Sequence, residues 1–65
     1  MHEPVLNDDT AMLTAMLDLM LIRGASDNEL AREIRNALED ALNGDGGPAS
    51  QLAGYIREWS QTQIH

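Results

Sequence analysis

Apolar residues recur along this chain at helical spacing in three separated runs, and no run alternates every second residue as a half-buried strand would. In TAMLTAMLDLMLIRG, residues 10–24, every position from Ala11 to Ile22 is apolar except Thr14 and Asp18. Asn7, Asp8 and Asp9 offer capping oxygens and carboxylates suited to the positive end of a helix dipole. Arg23 followed by Gly24 marks an ending, by charge and by left-handed backbone together. A first helix is predicted over about residues 8–23.

The second run opens with SDNE, residues 26–29, which reads as a capping box with Ser26 as the cap and Glu29 reaching back to it. Leu30, Ala31, Ile34, Ala37, Leu38, Ala41 and Leu42 fall within about 140° of a helical wheel, and Arg32, Arg35, Asn36, Glu39 and Asp40 take the rest. This predicts a one-sided amphipathic helix over about residues 27–43, with Ala37 and Ala41 allowing a neighbour to approach closely. NGDGGP, residues 43–48, interrupts the pattern and is expected to be a flexible loop, as is the N-terminus over residues 1–6. A third helix follows over about residues 49–61, with Leu52, Tyr55, Ile56 and Trp59 on one face, Ala49 and Ala53 beside them, and Gly54 on the far side. The pattern predicts an all-α fold, one three-helix bundle spanning residues 1–65, without strands or internal repeats.

The first helix carries more apolar surface than such a bundle needs. Met12, Met16 and Met20 make one stripe, and Leu13, Leu17 and Leu21 make the stripe beside it. Leu19 extends the methionine side, and Ala15 and Ile22 carry the apolar surface further round. Helices 2 and 3 offer faces of ordinary width, so much of helix 1 is left over, and large apolar patches on small proteins mark interfaces. The leucine stripe is expected to face the chain's own bundle. Met12, Met16, Leu19 and Met20 are expected to face a second chain, an identical copy in a homodimer being the simplest. Methionine is unbranched and adaptable, so the stripe also suits a groove for a foreign helix.

Composition strengthens the case for association. A 65-residue chain buries only about 60% of the surface that its unfolded form exposes, which leaves a marginal core. There is no cysteine, and histidine occurs only at His2 and His65, so neither a disulfide framework nor a metal site is expected to supplement that core. Oligomerisation is the other common supplement. Eleven acidic residues against four arginines give a net charge of −7, which opposes binding to nucleic acid and to anionic membrane surfaces. MHEPVLNDD is acidic where a secretory signal needs a basic flank, and the apolar run is shorter than the roughly 20 residues that cross a bilayer. A cytoplasmic protein without membrane partners is expected.

Candidate chemistry is sparse. Ser26, Ser50 and Ser60 have no internal histidine to activate them, and the carboxylates fall on helix faces or loops that should be wet. DALNGDGG, residues 40–47, fails as a calcium loop: from Asp40 the third position is Leu42, and from Asn43 the twelfth is Gly54. The glycines precede no Gly-Lys-Ser/Thr, and the chain has no lysine. No catalysis, cofactor, metal or small-molecule substrate is therefore expected. Asp18 interrupts the apolar helix and either pairs with Arg57 or Arg23 or marks the one exposed strip. Tyr55 and Trp59, one turn apart, are expected to pack on the core with their polar atoms at its rim, and they offer a secondary partner contact. Glu29, Glu33, Glu39, Asp40 and Asp45 form an acidic face that would steer the chain toward a partner protein with a basic surface.

Two resemblances bear on this picture. SDNELAREI, residues 26–34, resembles the opening of the first helix of helix-turn-helix proteins, which implies a tight turn and a basic recognition helix after it. Here the helical pattern runs unbroken to about Leu42 and helix 3 carries one arginine. Over about residues 10–62 the order of elements is similar to that of the small enterobacterial biofilm and acid-resistance regulators. Their apolar helix also ends in glycine (here LMLIRG, residues 19–24), and a polar cap, a helix containing Leu-Glu (Leu38 and Glu39) and a third helix follow. The basic Arg-Lys cap usual in that group is absent here. That resemblance implies a dimeric connector to a signalling system. The expectation is a non-enzymatic, acidic helical homodimer that binds and modulates another protein, as an inhibitor, antitoxin, connector or phage-type modulator of a host factor. The alternatives are a DNA-associated transcriptional regulator of helix-turn-helix-like type and a structural subunit of a larger assembly.

Overall fold

In the computed structural model, which describes residues 3–63, three helices are joined by two short turns: α1 (Asp8–Ile22), α2 (Glu29–Leu42) and α3 (Gly47–Gln63). No strand occurs among the described residues. His2 and His65 lie outside them.

Each helix end has an identifiable cause. At the start of α1, the Thr10 amide donates to Asn7 Oδ1 at 3.1 Å and the Asn7 amide donates to Thr10 Oγ1 at 2.9 Å, a reciprocal capping box. At its end Gly24 has φ +75°, the Gly24 amide donates to the Leu21 carbonyl, and the Ala25 amide to the Met20 carbonyl. α2 ends in the same way, with Gly44 at φ +96°, its amide on the Ala41 carbonyl and the Asp45 amide on the Asp40 carbonyl. Both are Schellman endings, which need a residue that tolerates left-handed backbone.

The start of α2 differs from the sequence expectation. Ser26 is not the cap: Asn28 holds that position, its Oδ1 accepting the Leu30 amide at 2.8 Å, so the helix begins at Glu29. Ser26, Asp27 and Asn28 are all capping residue types, and the one adjacent to the helix takes the role. Arg35 reaches back to donate to the Ser26 carbonyl at 3.3 Å. The turn over residues 43–48 is held by hydrogen bonds, with Asp45 Oδ1 accepting the Gly47 amide at 3.1 Å, and α3 accordingly starts at Gly47.

The core is built mainly from small residues. Leu13 and Ile34 are the two large fully buried side chains, and Ala31, Ala37, Ala41, Ala49 and Ala53 are buried around them. Alanine at these positions lets the helix axes approach, and the half-buried Met12, Met16, Leu17, Met20, Leu38, Leu52 and Ile56 close the periphery. The stretch before α1 is tied down at Val5, whose amide donates to the Ala41 carbonyl at 2.8 Å and whose side chain packs on the core. Gly46 leaves the room for it: a Cβ there would lie 2.7 Å from Val5 Cγ1.

The result is elongated. The radius of gyration is 12.1 Å, against about 10.7 Å for a compact domain of this length. The accessible surface is 4882 Å², against about 4,100 Å² expected for a folded monomer of 7.2 kDa.

Candidate functional site

α1 is apolar around its circumference, and only one side of it meets the bundle. Leu13 is its buried centre, and Met12, Met16, Leu17 and Met20 flank it against α2 and α3. The methionine stripe, expected to face a second chain, thus lies half-buried on the core beside Leu13 and Leu17. Leu21, expected in the bundle, is instead 45% exposed. A helix with apolar residues all round gives the wheel no contrast from which to read its rotation. The outer side carries Ala11, Ala15, Leu19 and Ile22 together with Thr14 and Asp18, and Ile22 is 81% exposed. Thr14 turns its hydroxyl inward to the Thr10 carbonyl at 2.8 Å, so what it presents outward is mainly its methyl group.

A groove of about 740 Å³ runs along one flank of this outer side. Ala11, Thr14 and Ala15 form one wall, Leu38 and Leu42 of α2 the other, and Val5 and Leu6 close the end. Leu6 and Leu42 are largely exposed there, and the carboxylates of Asp8 and Asp18 stand on its lining. Asp18 pairs with neither arginine proposed for it from sequence: Arg57 Nη1 lies 2.6 Å from Asp9 Oδ1 instead.

A second, shallower groove lies between α2 and α3. It brings together Glu33, Asn36 and Asp40 of α2 with Gln51, Leu52 and Tyr55 of α3. Glu29, Glu33, Asn36 and Asp40 follow one another at helical spacing along that flank, whereas Glu39 points to a different side of α2. Asp45 is engaged in capping α3. The five acidic positions therefore do not form one face; three of them share a strip beside Tyr55. Tyr55 and Trp59 are exposed instead of packing on the core, because α3 turns Ala49, Ala53 and Ile56 inward. Sequence periodicity weighted the larger side chains, while close helix approach selected the alanines.

Among the described residues no group of three or more histidine, aspartate and glutamate side chains is placed to hold a metal ion, and no helix is long and apolar enough to cross a membrane. α2 is a single unbroken helix from Glu29 to Leu42, and the arginine of α3 is engaged with Asp9. What the surfaces offer is apolar contact on one side of the molecule, and carboxylates with an aromatic ring on another. No model of a known protein family, no curated protein and no solved structure matches the chain.

Proposed function

We propose that this chain is a non-enzymatic protein-binding module that self-associates through the outer side of α1 and engages a basic segment of another protein in the groove between α2 and α3. The observation that carries this reading is the uncovered outer side of α1, where Leu19, Leu21 and Ile22 stand in water on a chain too short to waste apolar surface.

The partner site rests on charge and on an aromatic platform. With a net charge of −7, long-range steering favours cationic partners. Glu33 and Asp40 can pair with lysine or arginine, and the exposed ring of Tyr55 offers a face for a cation between them. Such a module would act by occupying or recruiting its partner, as an inhibitor, antitoxin, connector or host modulator does. A DNA-associated regulator is the weaker reading, since the one arginine of α3 is engaged with Asp9 and the overall charge is negative.

Nuclear magnetic resonance of labelled protein tests both halves. On dilution, the amides of Ala11, Ala15 and Ile22 should shift while that of Leu13 stays. On titration with an arginine-rich amphipathic peptide, shifts should concentrate at Glu33, Asp40 and Tyr55 and weaken with added salt. Invariant spectra in the first case, or in the second shifts spread evenly or insensitive to salt, would overturn the corresponding half.

A further inference from the structure

The turn between α2 and α3 opens on the one asparagine of the chain that a glycine follows: Asn7, Asn28 and Asn36 precede Asp8, Glu29 and Ala37, whereas Asn43 precedes Gly44. Such a pair carries its own chemistry, because glycine has no Cβ to shield its backbone nitrogen from the asparagine side chain. We propose that Asn43 is a self-modifying site, which the folded α2 ending holds in check and which local opening of that ending releases.

The reaction needs only water. The Gly44 nitrogen bonds to Asn43 Cγ, the bond from Cγ to Nδ2 breaks, and ammonia leaves with the proton that Gly44 gives up, closing a five-membered succinimide. Water then opens the ring, at Cγ to give aspartate or at the backbone carbonyl carbon to give isoaspartate, whose main chain runs through Cγ. Asn43 and Gly44 are both exposed to that water. Two features of the fold oppose the first step. Asn43 has φ −90° and ψ 7°, which turns the Gly44 nitrogen back over the nitrogen of Asn43 and away from the Asn43 side chain. The Gly44 amide also donates to the Ala41 carbonyl at 3.1 Å, so the proton that must leave is engaged. Both restraints lapse when the α2 ending opens, and openings confined to a helix end cost less than global unfolding. Asp45 precedes Gly46 in the same turn, but a carboxylate is a poorer electrophile than an amide, and its Oδ1 already accepts the Gly47 amide.

The product works against reclosure. Either form adds a carboxylate at the negative end of the α2 dipole, close in sequence to Asp40 and Asp45. The Ala41 carbonyl that holds the Gly44 amide also accepts the Val5 amide at 2.8 Å, so loosening there spreads to the stretch before α1.

To test this, the full chain is aged in neutral buffer, folded or unfolded in guanidinium chloride, and then digested for mass spectrometry. Loss of ammonia at Asn43 is expected in both samples, about tenfold or more slower in the folded one, with Asn7, Asn28 and Asn36 intact. The folded rate should nonetheless exceed the unfolded rate multiplied by the globally unfolded fraction, because local opening supplies the reactive state. Equal rates in the two samples overturn the protection, and a folded rate no greater than that product overturns the local gate. An Asn43 that stays intact in the unfolded chain, or faster loss at another asparagine, overturns the site. Asn43→Asp, which carries the charge of the product, should speed hydrogen exchange several-fold at the Gly44 and Val5 amides and leave Leu13 unchanged. Unchanged exchange at Gly44 overturns the weakening, and unchanged exchange at Val5 alone overturns its spread.

Discussion

Arg57 of α3 and Asp9 in the first turn of α1 are joined by an ion pair, Nη1 to Oδ1 at 2.6 Å, which ties the last helix to the start of the first. The arginine side chain is about half exposed, at 47%, and the aspartate less so, at 22%. Pairs with this much solvent contact contribute little, up to about 1 kcal/mol. Asp9 also favours its helix terminus through the dipole, so its removal forfeits two interactions where removal of Arg57 forfeits one. Denaturant titration should show Asp9→Ala more destabilising than Arg57→Ala, both modest, with high salt narrowing the difference. Equal costs would mean that the dipole contributes nothing here.

The contact of Val5 with Gly46 makes a sharper prediction. A Cβ at position 46 would lie 2.7 Å from Val5 Cγ1, closer than such atoms approach, so Gly46→Ala must displace the N-terminal stretch. A loss of about 1–3 kcal/mol is expected, the usual cost of overpacking. Val5→Ala in the same chain removes the obstruction, so the double variant should lose less than the two single losses combined. Strict additivity in a double-mutant cycle would show that the stretch is not held there.

Gly24 isolates the cost of left-handed backbone, because a Cβ at that position meets nothing within 4 Å. Gly24→Ala should cost about 1–2 kcal/mol from the φ of +75° alone. Gly54→Ala, in a helix and in equally open space, should instead stabilise by up to about 1 kcal/mol. Thermal melts of the two variants should move in opposite directions.

The two sides of α1 separate stability from association. Leu13 is fully buried, so Leu13→Ala should cost about 2–5 kcal/mol in any oligomeric state. Ile22 is 81% exposed, so Ile22→Glu should leave the helical content of a monomer unchanged and weaken self-association by about tenfold or more. Circular dichroism and sedimentation of the same samples distinguish the effects.

Much of this fold was legible where residue type and geometry constrain each other. Gly24 follows a run of apolar residues and an arginine, and its left-handed backbone ends α1; α2 has one apolar flank, and Ile34, Ala37 and Ala41 are buried on it. The rotation of α1 was not legible, since apolar side chains surround it and only packing selects Leu13, Met16 and Met20 as the inner side. The rotation of α3 was missed for a volumetric reason: Tyr55 and Trp59 are too large for the narrow space that Ala49 and Ala53 fill. The cap pairing of Asn7 with Thr10 departs from the usual Glu or Gln at the third helical position, since a threonine hydroxyl serves the same purpose. The strip formed by Glu33, Asp40 and Tyr55 became visible only once α2 and α3 were placed side by side.

Coverage of the outer side of α1 by a second chain is read from sedimentation equilibrium of the unmodified protein at micromolar concentration. The expected species has a mass of about 14 kDa, twice the 7.2 kDa of one chain, and Ile22→Glu should convert it to monomer without loss of helix. A single species at 7.2 kDa across that range would contradict it.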